Sequence, residues 1–187
     1  MRIISGRHRG RKLFKFAGEE IRPTSDRVKE CLFNILSSKV VDATVLDLFC
    51  GSGSLGLECI SRGAKKVHFN DLSADSLTVL KKNLNAMGEA DCVRITNLDY
   101  LACLRAEREK FDIIFLDPPY RFDYGVPALK EIAANRLLSD GGTVVYERDR
   151  SFDGNVEGLE KFDERKYGKT YLTFFRAITP QNNEELK

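Results

Sequence analysis

Five short apolar runs alternate with amphipathic segments after residue 40, and this alternation constrains the fold more than any other feature of the chain. The apolar runs predict strands over 43–49, 65–71, 92–96, 111–116 and 142–148. The intervening segments predict helices over 54–63, 73–88 and 99–109 and a mostly helical segment over 124–138. A strand, a helix and a second strand in succession form a right-handed crossover between parallel strands. We therefore expect an α/β fold with a doubly wound, mostly parallel sheet.

The two ends of the chain depart from this alternation. Residues 159–177 contain two strand-like runs around a Tyr-Gly-Lys-Thr turn, which predicts a hairpin and an antiparallel closing strand. Residues 24–36 predict a helix that Thr24 or Ser25 would cap. Its apolar face would carry Val28, Leu32, Ile35 and Leu36. We expect a short β-rich arm over 1–23, a main domain over 24–180 and a polar tail over 181–187.

Charge is spread unevenly along the chain. Residues 1–29 contain nine basic and three acidic residues, a net charge of +6, and because the whole chain carries +2 the remainder carries −4. A basic arm on a mildly acidic body is typical of proteins that bind a polyanion such as nucleic acid. A solvated, charged terminus without a partner is the alternative interpretation.

Other features of the composition limit the class of protein. The first residues hold no apolar stretch that resembles a signal peptide, and no run approaches the ~20 apolar residues of a membrane span. The five cysteines are scattered and form no Cys-x-x-Cys pair, which favours reduced, buried thiols over disulfides or a structural zinc. We expect a cytoplasmic protein that does not associate with membranes.

The loop after the first predicted strand has the spacing of a nucleotide-cofactor site. Gly51, Gly53 and Gly56 form Gly-x-Gly-x-x-Gly at the start of a helix, and Asp71 lies twenty residues past Gly51 at the end of the next strand. Glycines let the backbone approach a ligand, and an acid at that place accepts hydrogen bonds from ribose hydroxyls. The pattern predicts a cofactor site but does not by itself choose a dinucleotide.

Asp47, four residues before Gly51, helps to identify the cofactor. A pyrophosphate at the loop would lie near this carboxylate, and two like charges ~4 Å apart repel by ~4 kcal/mol at an effective dielectric constant of 20. S-adenosylmethionine carries a positive sulfonium and a positive ammonium instead, which favours it over NAD. Asp47 could also form a structural hydrogen bond to loop amides. Asp99, after the third strand, could accept from the adenine amine or could simply cap a helix.

The fourth predicted strand ends in Asp117-Pro118-Pro119-Tyr120. Each proline lacks a backbone donor and stiffens the chain, and each keeps the residue before it out of the helical region. The segment is therefore a rigid, extended stretch that carries one carboxylate and one aromatic ring just past a strand end.

These motifs together resemble the class I S-adenosylmethionine-dependent methyltransferases that act on exocyclic amines of nucleic-acid bases, with a Rossmann-like fold. Five segments, RIISGRHRGRKL, RPTSDRVKECLFNIL, DLFCGSGSLGLECISRGA, FDIIFLDPPY and a late YG, are similar to one bacterial family. That family methylates N2 of guanine 966 in 16S ribosomal RNA. Two departures are Cys50, where alanine is expected, and Asp71, where glutamate is usual.

The resemblance implies a role for each candidate residue. The Asp117 carboxylate and the Pro118 carbonyl would accept N–H bonds from the base amine, Pro119 would keep them rigid, and Tyr120 would stack on the unstacked base. The implied cofactor residues are Asp47, Cys50, Gly51, Gly53, Asp71, Asp99 and Thr24. The implied RNA-binding residues are Arg2, Arg7, Arg9, Arg11, Arg22 and Arg27. No metal is implied, because the cofactor supplies the difficult chemistry.

The implied partner is small-subunit ribosomal RNA in an assembled or assembling particle, bound by a monomeric enzyme. Three alternatives remain. The first is an adenine-N6 or cytosine-N4 methyltransferase, although 187 residues leave no room for a separate domain that reads DNA sequence. The second is a NAD-linked oxidoreductase, and the third is an RNA-binding module that has lost its chemistry.

Overall fold

The computed structural model describes residues 1–15, 26–119 and 122–178. In these ranges the helices α1 to α5 are Asp26–Leu36, Ser54–Ser61, Ala74–Met87, Tyr100–Ala106 and Gly125–Ala134. The strands β1 to β7 are Thr44–Asp47, Lys66–Asn70, Val93–Thr96, Phe111–Leu116, Leu138–Arg148, Leu159–Tyr167 and Thr170–Ala177. A 3-10 helix over Ser37–Val40, which the sequence did not predict, joins α1 to β1. None of the helices described here is long and apolar enough to cross a membrane.

The seven strands form one sheet in the order β3-β2-β1-β4-β5-β7-β6. Strands β1 to β5 pair in parallel, and β7 is antiparallel to both β5 and β6. The predicted doubly wound sheet with an antiparallel hairpin is thus confirmed. The order of the strands reverses between β1 and β4, because β2 and β3 lie on one side of β1 and the later strands lie on the other. In such sheets ligands bind beside the carboxyl ends of the strands at this switch point.

Each face of the sheet is covered by its own hydrophobic core. One core contains residues of α1, α2 and α3, and the other contains residues of α4 and α5. Strand side chains alternate between the two cores, as the period of a strand requires. In β4, for example, Ile113 and Phe115 belong to the first core, whereas Ile114 and Leu116 belong to the second.

The caps predicted for α3 are present. The Ser73 hydroxyl accepts a hydrogen bond from the Ser76 amide at 3.2 Å, and Gly88 ends the helix with a φ of 71°. This left-handed conformation after the last helical turn strains residues that have a side chain, whereas glycine adopts it without strain. These two residues therefore fix both ends of the helix that packs beside the glycine loop.

Two details of the structure differ from the prediction. The helix predicted over 124–138 ends at Ala134, and Leu138 instead begins β5, where it pairs with Phe111. Leu137 and Leu138 continue the apolar period of the helix, but both are buried in the second core after a turn at Arg136, whose φ is 51°. Ile35, predicted on the buried face of α1, is 36% exposed.

The first thirteen residues form a turn that packs on the body of the protein. A single antiparallel bridge joins Arg2 to Lys12, and the side chains of Ile3 and Leu13 are buried in the first core. The amides of Ile4 and Ser5 donate to the Glu58 carboxylate of α2 at 2.8 and 3.0 Å. Of the β-rich arm predicted over 1–23, the described residues 1–15 contain one β-bridge and no strand, and they are attached to the helix that follows the glycine loop.

Candidate active site at the carboxyl edge of the sheet

The glycine loop turns tightly between β1 and α2. Gly51 and Gly53 have φ values of 53° and 87°, which side chains rarely adopt. A Cβ atom on Gly53 would lie 2.4 Å from a methyl carbon of Leu80, and one on Gly56 would lie 2.2 Å from the ring of Phe69. Nothing lies within 4 Å of the position that a Cβ on Gly51 would take. Two glycines therefore serve close packing, and Gly51 presents open backbone to a ligand.

Asp47 is a buried carboxylate at the end of β1, with a residue exposure of 2%. Its Oδ2 atom accepts from the Gly56 amide at 2.9 Å, so the structural hydrogen bond proposed as an alternative exists. Burial raises the pKa of Asp47 to about 7, the Gly56 hydrogen bond opposes this rise, and the charge of Asp71 adds to it. A positively charged ligand at this place would stabilise the ionised carboxylate.

Asp71 follows β2 and connects two loops. Its Oδ2 atom accepts from the Gly51 amide and its Oδ1 atom from the Ser73 amide, both at 2.8 Å. The Cys50 amide donates to the Asn70 carbonyl at 3.0 Å, and the Gly53 amide donates to the Cys50 carbonyl at 2.7 Å. The structure thus brings Asp47, Cys50, Gly51, Gly53 and Asp71 together. A carboxylate has more acceptor positions than these two bonds use, so Asp71 can still accept from ribose hydroxyls.

Asp99 caps the N-terminus of α4, which is the second of the two roles that the sequence analysis considered for it. Its Oδ1 atom accepts from the amides of Leu101 and Ala102 at 2.9 and 3.4 Å. The side chain is exposed beside the ends of β2 and β3, and its binding to an adenine amine stays a prediction. Thr24, the remaining cofactor candidate, lies outside the described residues.

Two asparagines that the sequence analysis missed hold the strand ends in place. The Asn70 amide donates to the carbonyls of Leu48 and Leu98 at 3.2 and 3.1 Å. The Asn97 amide donates to the carbonyls of Asp71 and Leu72, both at 2.8 Å. Both asparagines lie at strand ends in the sequence, which is the one signal that could have identified them.

The residues around the glycine loop fit S-adenosylmethionine. The open side of Gly51 allows close approach of a ligand. Burial raises the pKa of Asp47 to about 7, and a nearby positive charge would stabilise its ionised form. Asp71 offers acceptors to hydroxyl groups at the end of the neighbouring strand. A pyrophosphate would instead add negative charge beside two carboxylates, which disfavours a dinucleotide.

The Asp-Pro-Pro segment follows β4, the strand next to β1. Asp117 is half-buried, Pro118 is buried and Pro119 is exposed. The Phe122 amide donates a hydrogen bond to the Pro119 carbonyl at 3.1 Å. Tyr120, predicted to stack on the base, lies outside the described residues. In the sheet register Asp47 pairs with Phe115, so Asp117 lies two residues beyond Asp47 on the neighbouring strand.

Four rings near the carboxyl edge of the sheet form an aromatic cluster: Phe49, Tyr100, Phe122 and Tyr124. The rings of Phe49 and Tyr124 are stacked at 6.3 Å, and the ring of Tyr100 lies 5.4 Å from Phe49 and 5.0 Å from Tyr124. Phe122 stacks on Tyr124 at 5.0 Å and is 54% exposed. Each ring follows the end of β1, β3 or β4, a pattern that the sequence analysis missed. Stacked aromatic faces of this kind bind nucleobases.

The arginines predicted to bind RNA differ in their surroundings. Arg2 pairs with Asp26 at 3.3 Å, Arg7 pairs with Glu89 at 2.6 Å, and Arg11 donates to the Ala86 carbonyl. Arg9 and Arg27 are exposed, and Arg22 lies outside the described residues. The arm therefore forms ion pairs with the body through some of these residues, and their binding to phosphates stays a prediction.

The chain is similar to known proteins over most of its length. A family model described as Conserved hypothetical protein 95 matches residues 1–176. Ribosomal RNA small subunit methyltransferase D of Haemophilus influenzae is 40% identical over 154 residues, which cover 80% of this chain and 79% of the relative. The Escherichia coli K12 protein of the same name is 36% identical over 149 residues, which cover 80% and 75%.

The fold is also similar to solved structures. The candidate methyltransferase yhhF from Escherichia coli superposes with a TM-score of 0.84 at 30% sequence identity, covering 95% of this chain and 97% of that chain. The candidate methylase HI0767 from Haemophilus influenzae superposes with a TM-score of 0.81 at 32% identity, covering 95% and 98%. These likenesses extend over the arm, the sheet and the candidate site.

Proposed function

The chain belongs to the Conserved hypothetical protein 95 family and is an S-adenosylmethionine-dependent ribosomal RNA methyltransferase, and from this premise we propose that it methylates the N2 amine of a guanine in small-subunit RNA, guanine 966 in 16S numbering. One observation carries the proposal. The glycine loop, Asp47, Asp71 and the rigid Asp117-Pro118 segment lie at the carboxyl ends of three adjacent strands, β2, β1 and β4.

Residues at the glycine loop hold the cofactor in this proposal. The Asp47 carboxylate attracts the cationic groups of S-adenosylmethionine, Asp71 accepts from its ribose hydroxyls, and the backbone of Cys50 and Gly51 lies against it. Asp99 and Thr24 complete the proposed set. When bound, S-adenosylmethionine would supply an electrophilic methyl group to the amine nitrogen, with its sulfur keeping the electron pair of the broken bond.

Asp117 and Pro118 prepare the amine. The lone pair of a guanine N2 amine is delocalised into the ring, which makes the nitrogen a weak nucleophile. The Asp117 carboxylate and the Pro118 carbonyl accept its two N–H bonds and favour a pyramidal nitrogen. Because the prolines keep these acceptors rigid, little ordering is needed during the reaction. The Asp117 carboxylate then accepts the proton that the methylated nitrogen loses.

The RNA strand must present the target base unstacked, as in other enzymes that modify bases. Tyr120 is the proposed stacking partner of that base. Phosphates of the strand would contact the arm, residues 1–23, and the start of α1 through the six arginines named above. The proposed substrate is an assembled or assembling small subunit, and the enzyme acts as a monomer in the cytoplasm.

The test is methyl transfer from labelled S-adenosylmethionine to small ribosomal subunits that lack the modification. Nuclease digestion and mass spectrometry of the product RNA identify the base, the atom and the position. One N2-methylguanosine at position 966 is the expected product. Label in N6-methyladenosine or N4-methylcytosine, or no incorporation at all, would overturn the proposal. The Asp117→Ala protein serves as the inactive control.

A further inference from the structure

Glu147 is a buried carboxylate that the proposed mechanism does not use. It is the tenth residue of β5, at the carboxyl end, and it is 5% exposed. Burial of a charged group costs free energy unless other groups satisfy it, so acidic residues are seldom found at such positions without a reason. Glu147 interacts with other groups of the protein. Its place beside the catalytic segment indicates a further role.

The register of β4 and β5 puts Glu147 next to Asp117. Phe115 pairs with Val145 and Leu116 pairs with Tyr146, so the following residues of the two parallel strands occupy neighbouring positions. Phe115 and Val145 face the first core, whereas Leu116 and Tyr146 face the second. By the same alternation the side chains of Asp117 and Glu147 lie on one face of the sheet. Parallel neighbours in a sheet are ~4.8 Å apart.

A cleft at the same edge connects Glu147 with the Asp-Pro-Pro segment. Pro118, Phe122, Tyr146, Glu147 and Arg148 are among the residues that line it. The cleft thus contains the residue whose carbonyl would accept from the base amine and an exposed aromatic ring that could stack on RNA. A base that reaches Asp117 and Pro118 through this edge of the sheet would pass Glu147.

The hydrogen-bonding edge of guanine explains what a second carboxylate would do there. In guanine the N2 amine lies next to N1–H, so two donors point in one direction. In adenine the N6 amine lies next to the acceptor N1, and in cytosine the N4 amine lies next to the acceptor N3. Adjacent carboxylates therefore complement guanine, whereas one of them would repel the ring nitrogen of adenine or cytosine.

We propose that Glu147 accepts the N1–H bond of the target guanine while Asp117 and Pro118 accept from its N2 amine, and that Glu147 thereby determines base selectivity. This inference rests on the proposed function. Hydrogen bonds that Glu147 makes within the protein do not prevent it from accepting the N1–H bond, because a carboxylate offers about four acceptor positions. Sites that hydrogen-bond a polar group of the substrate discriminate strongly against analogues that lack it.

The experiment replaces the target guanine by 2-aminopurine in otherwise identical RNA assembled into small subunits. 2-Aminopurine keeps the amine at C2 but has an unprotonated N1, which is an acceptor. For the wild-type enzyme we expect kcat/KM to fall at least about 100-fold, since the N1 lone pair faces the Glu147 carboxylate. In Glu147→Gln the amide can donate to N1, so the ratio of guanine to 2-aminopurine activity should fall at least about tenfold.

The ratio separates selectivity from general damage. 2-Aminopurine also lacks the O6 atom, but that loss is the same for both enzymes and cancels when their ratios are compared. Glu160→Gln, at an exposed position of β6, should keep the wild-type ratio. A Glu147→Gln protein that melts normally and keeps the wild-type ratio would overturn the inference. Equal wild-type rates on guanine and 2-aminopurine would overturn it without any variant, whereas absent guanine methylation would overturn the proposed function instead.

Discussion

The ammonium of Lys29 lies 3.3 Å from the Glu58 carboxylate, and both side chains are fully buried. Lys29 also donates to the Arg2 carbonyl at 2.6 Å and contacts the Ser54 hydroxyl at 3.4 Å. This ion pair therefore joins the arm, α1 and the first residue of α2 directly after the glycine loop. Lys29 was one of the nine basic residues that predicted a polyanionic partner, but the structure places it in the interior, where it cannot contact RNA.

Lys29→Met should lower the free energy of unfolding by about 3 kcal/mol, because it leaves Glu58 buried with fewer partners. Burial already lowers the pKa of Lys29, and Glu58 is the main group that opposes this shift. Urea unfolding of the two proteins measures the difference. Lys81→Met, at an exposed position of α3, is the matched control and should change stability by less than about 0.5 kcal/mol. A similar small change in Lys29→Met would contradict the structural role of the pair.

The raised pKa of Asp47 predicts that stability falls as pH rises. The carboxyl has a pKa near 3.9 in the unfolded chain and about 7 in the folded protein, so between these values the folded state binds more protons. Stability should therefore decrease from pH 5 to pH 7 by about 2 kcal/mol through this group and become constant above about pH 8. Asp47→Asn should lose this dependence. Urea unfolding of both proteins at pH 5 and pH 7.5 tests the difference.

Cofactor binding should show the reverse dependence on pH. A cationic ligand prefers the ionised Asp47 carboxylate, so the affinity for S-adenosylmethionine should rise up to tenfold per pH unit below pH 7 and level off above it. Calorimetry in buffers of different ionisation enthalpy should detect about one proton released per ligand at pH 6. Binding without proton release at that pH would exclude Asp47 as the group that titrates.

Asp117→Ala should abolish most methyl transfer and leave cofactor binding nearly unchanged, because Asp117 acts on the base amine. Single-turnover rates with small subunits report the first effect, and calorimetry with S-adenosylmethionine reports the second. Asp140→Ala, at an exposed position of β5, is the control for loss of a carboxylate. Near-normal turnover of Asp117→Ala would assign the role of acceptor to another group.

The arm offers a pair of variants that separates RNA binding from folding. Arg9 is exposed, whereas Arg7 pairs with Glu89 at 2.6 Å. If Arg9 contacts a phosphate, Arg9→Ala should weaken RNA binding, reduce the log–log salt slope by about 0.7 and leave the melting temperature unchanged. Arg7→Ala should also lower the melting temperature. Salt-dependent RNA binding beside melting curves measures both, and a constant slope in Arg9→Ala would count against the phosphate contact.

Local patterns in the sequence were sufficient to predict most of the fold. Apolar periods identified all five parallel strands, and the spacing of glycines and acids identified the loop that Asp47, Gly51 and Asp71 form. Leu138 was assigned to the wrong element because its apolar character suits a helix face and a buried strand equally. Pairing with Phe111 decides between them, and such a contact has no local signature.

The same reason accounts for what was missed at the site. The sequence around Lys29 gives no sign that this lysine is buried in an ion pair with Glu58, 29 residues later. The aromatic cluster is assembled from three separate strand ends, and Glu147 reaches Asp117 only through the pairing of β4 with β5. Side chains that act together through the order of strands in a sheet can be recognised only when that order is known.

The attachment of the arm determines when, during synthesis of the chain, the arm can reach its native contacts. Its partners lie far along the sequence: Ser5 binds Glu58, 53 residues later, and Arg7 binds Glu89, 82 residues later. At about 5–20 residues per second, a ribosome makes Glu89 roughly 4–16 s after Arg7. A segment of this size samples its conformations in microseconds and must therefore wait for its binding surface. The arm is thus made before the surface that it binds, and its native contacts form only after that surface has been synthesised.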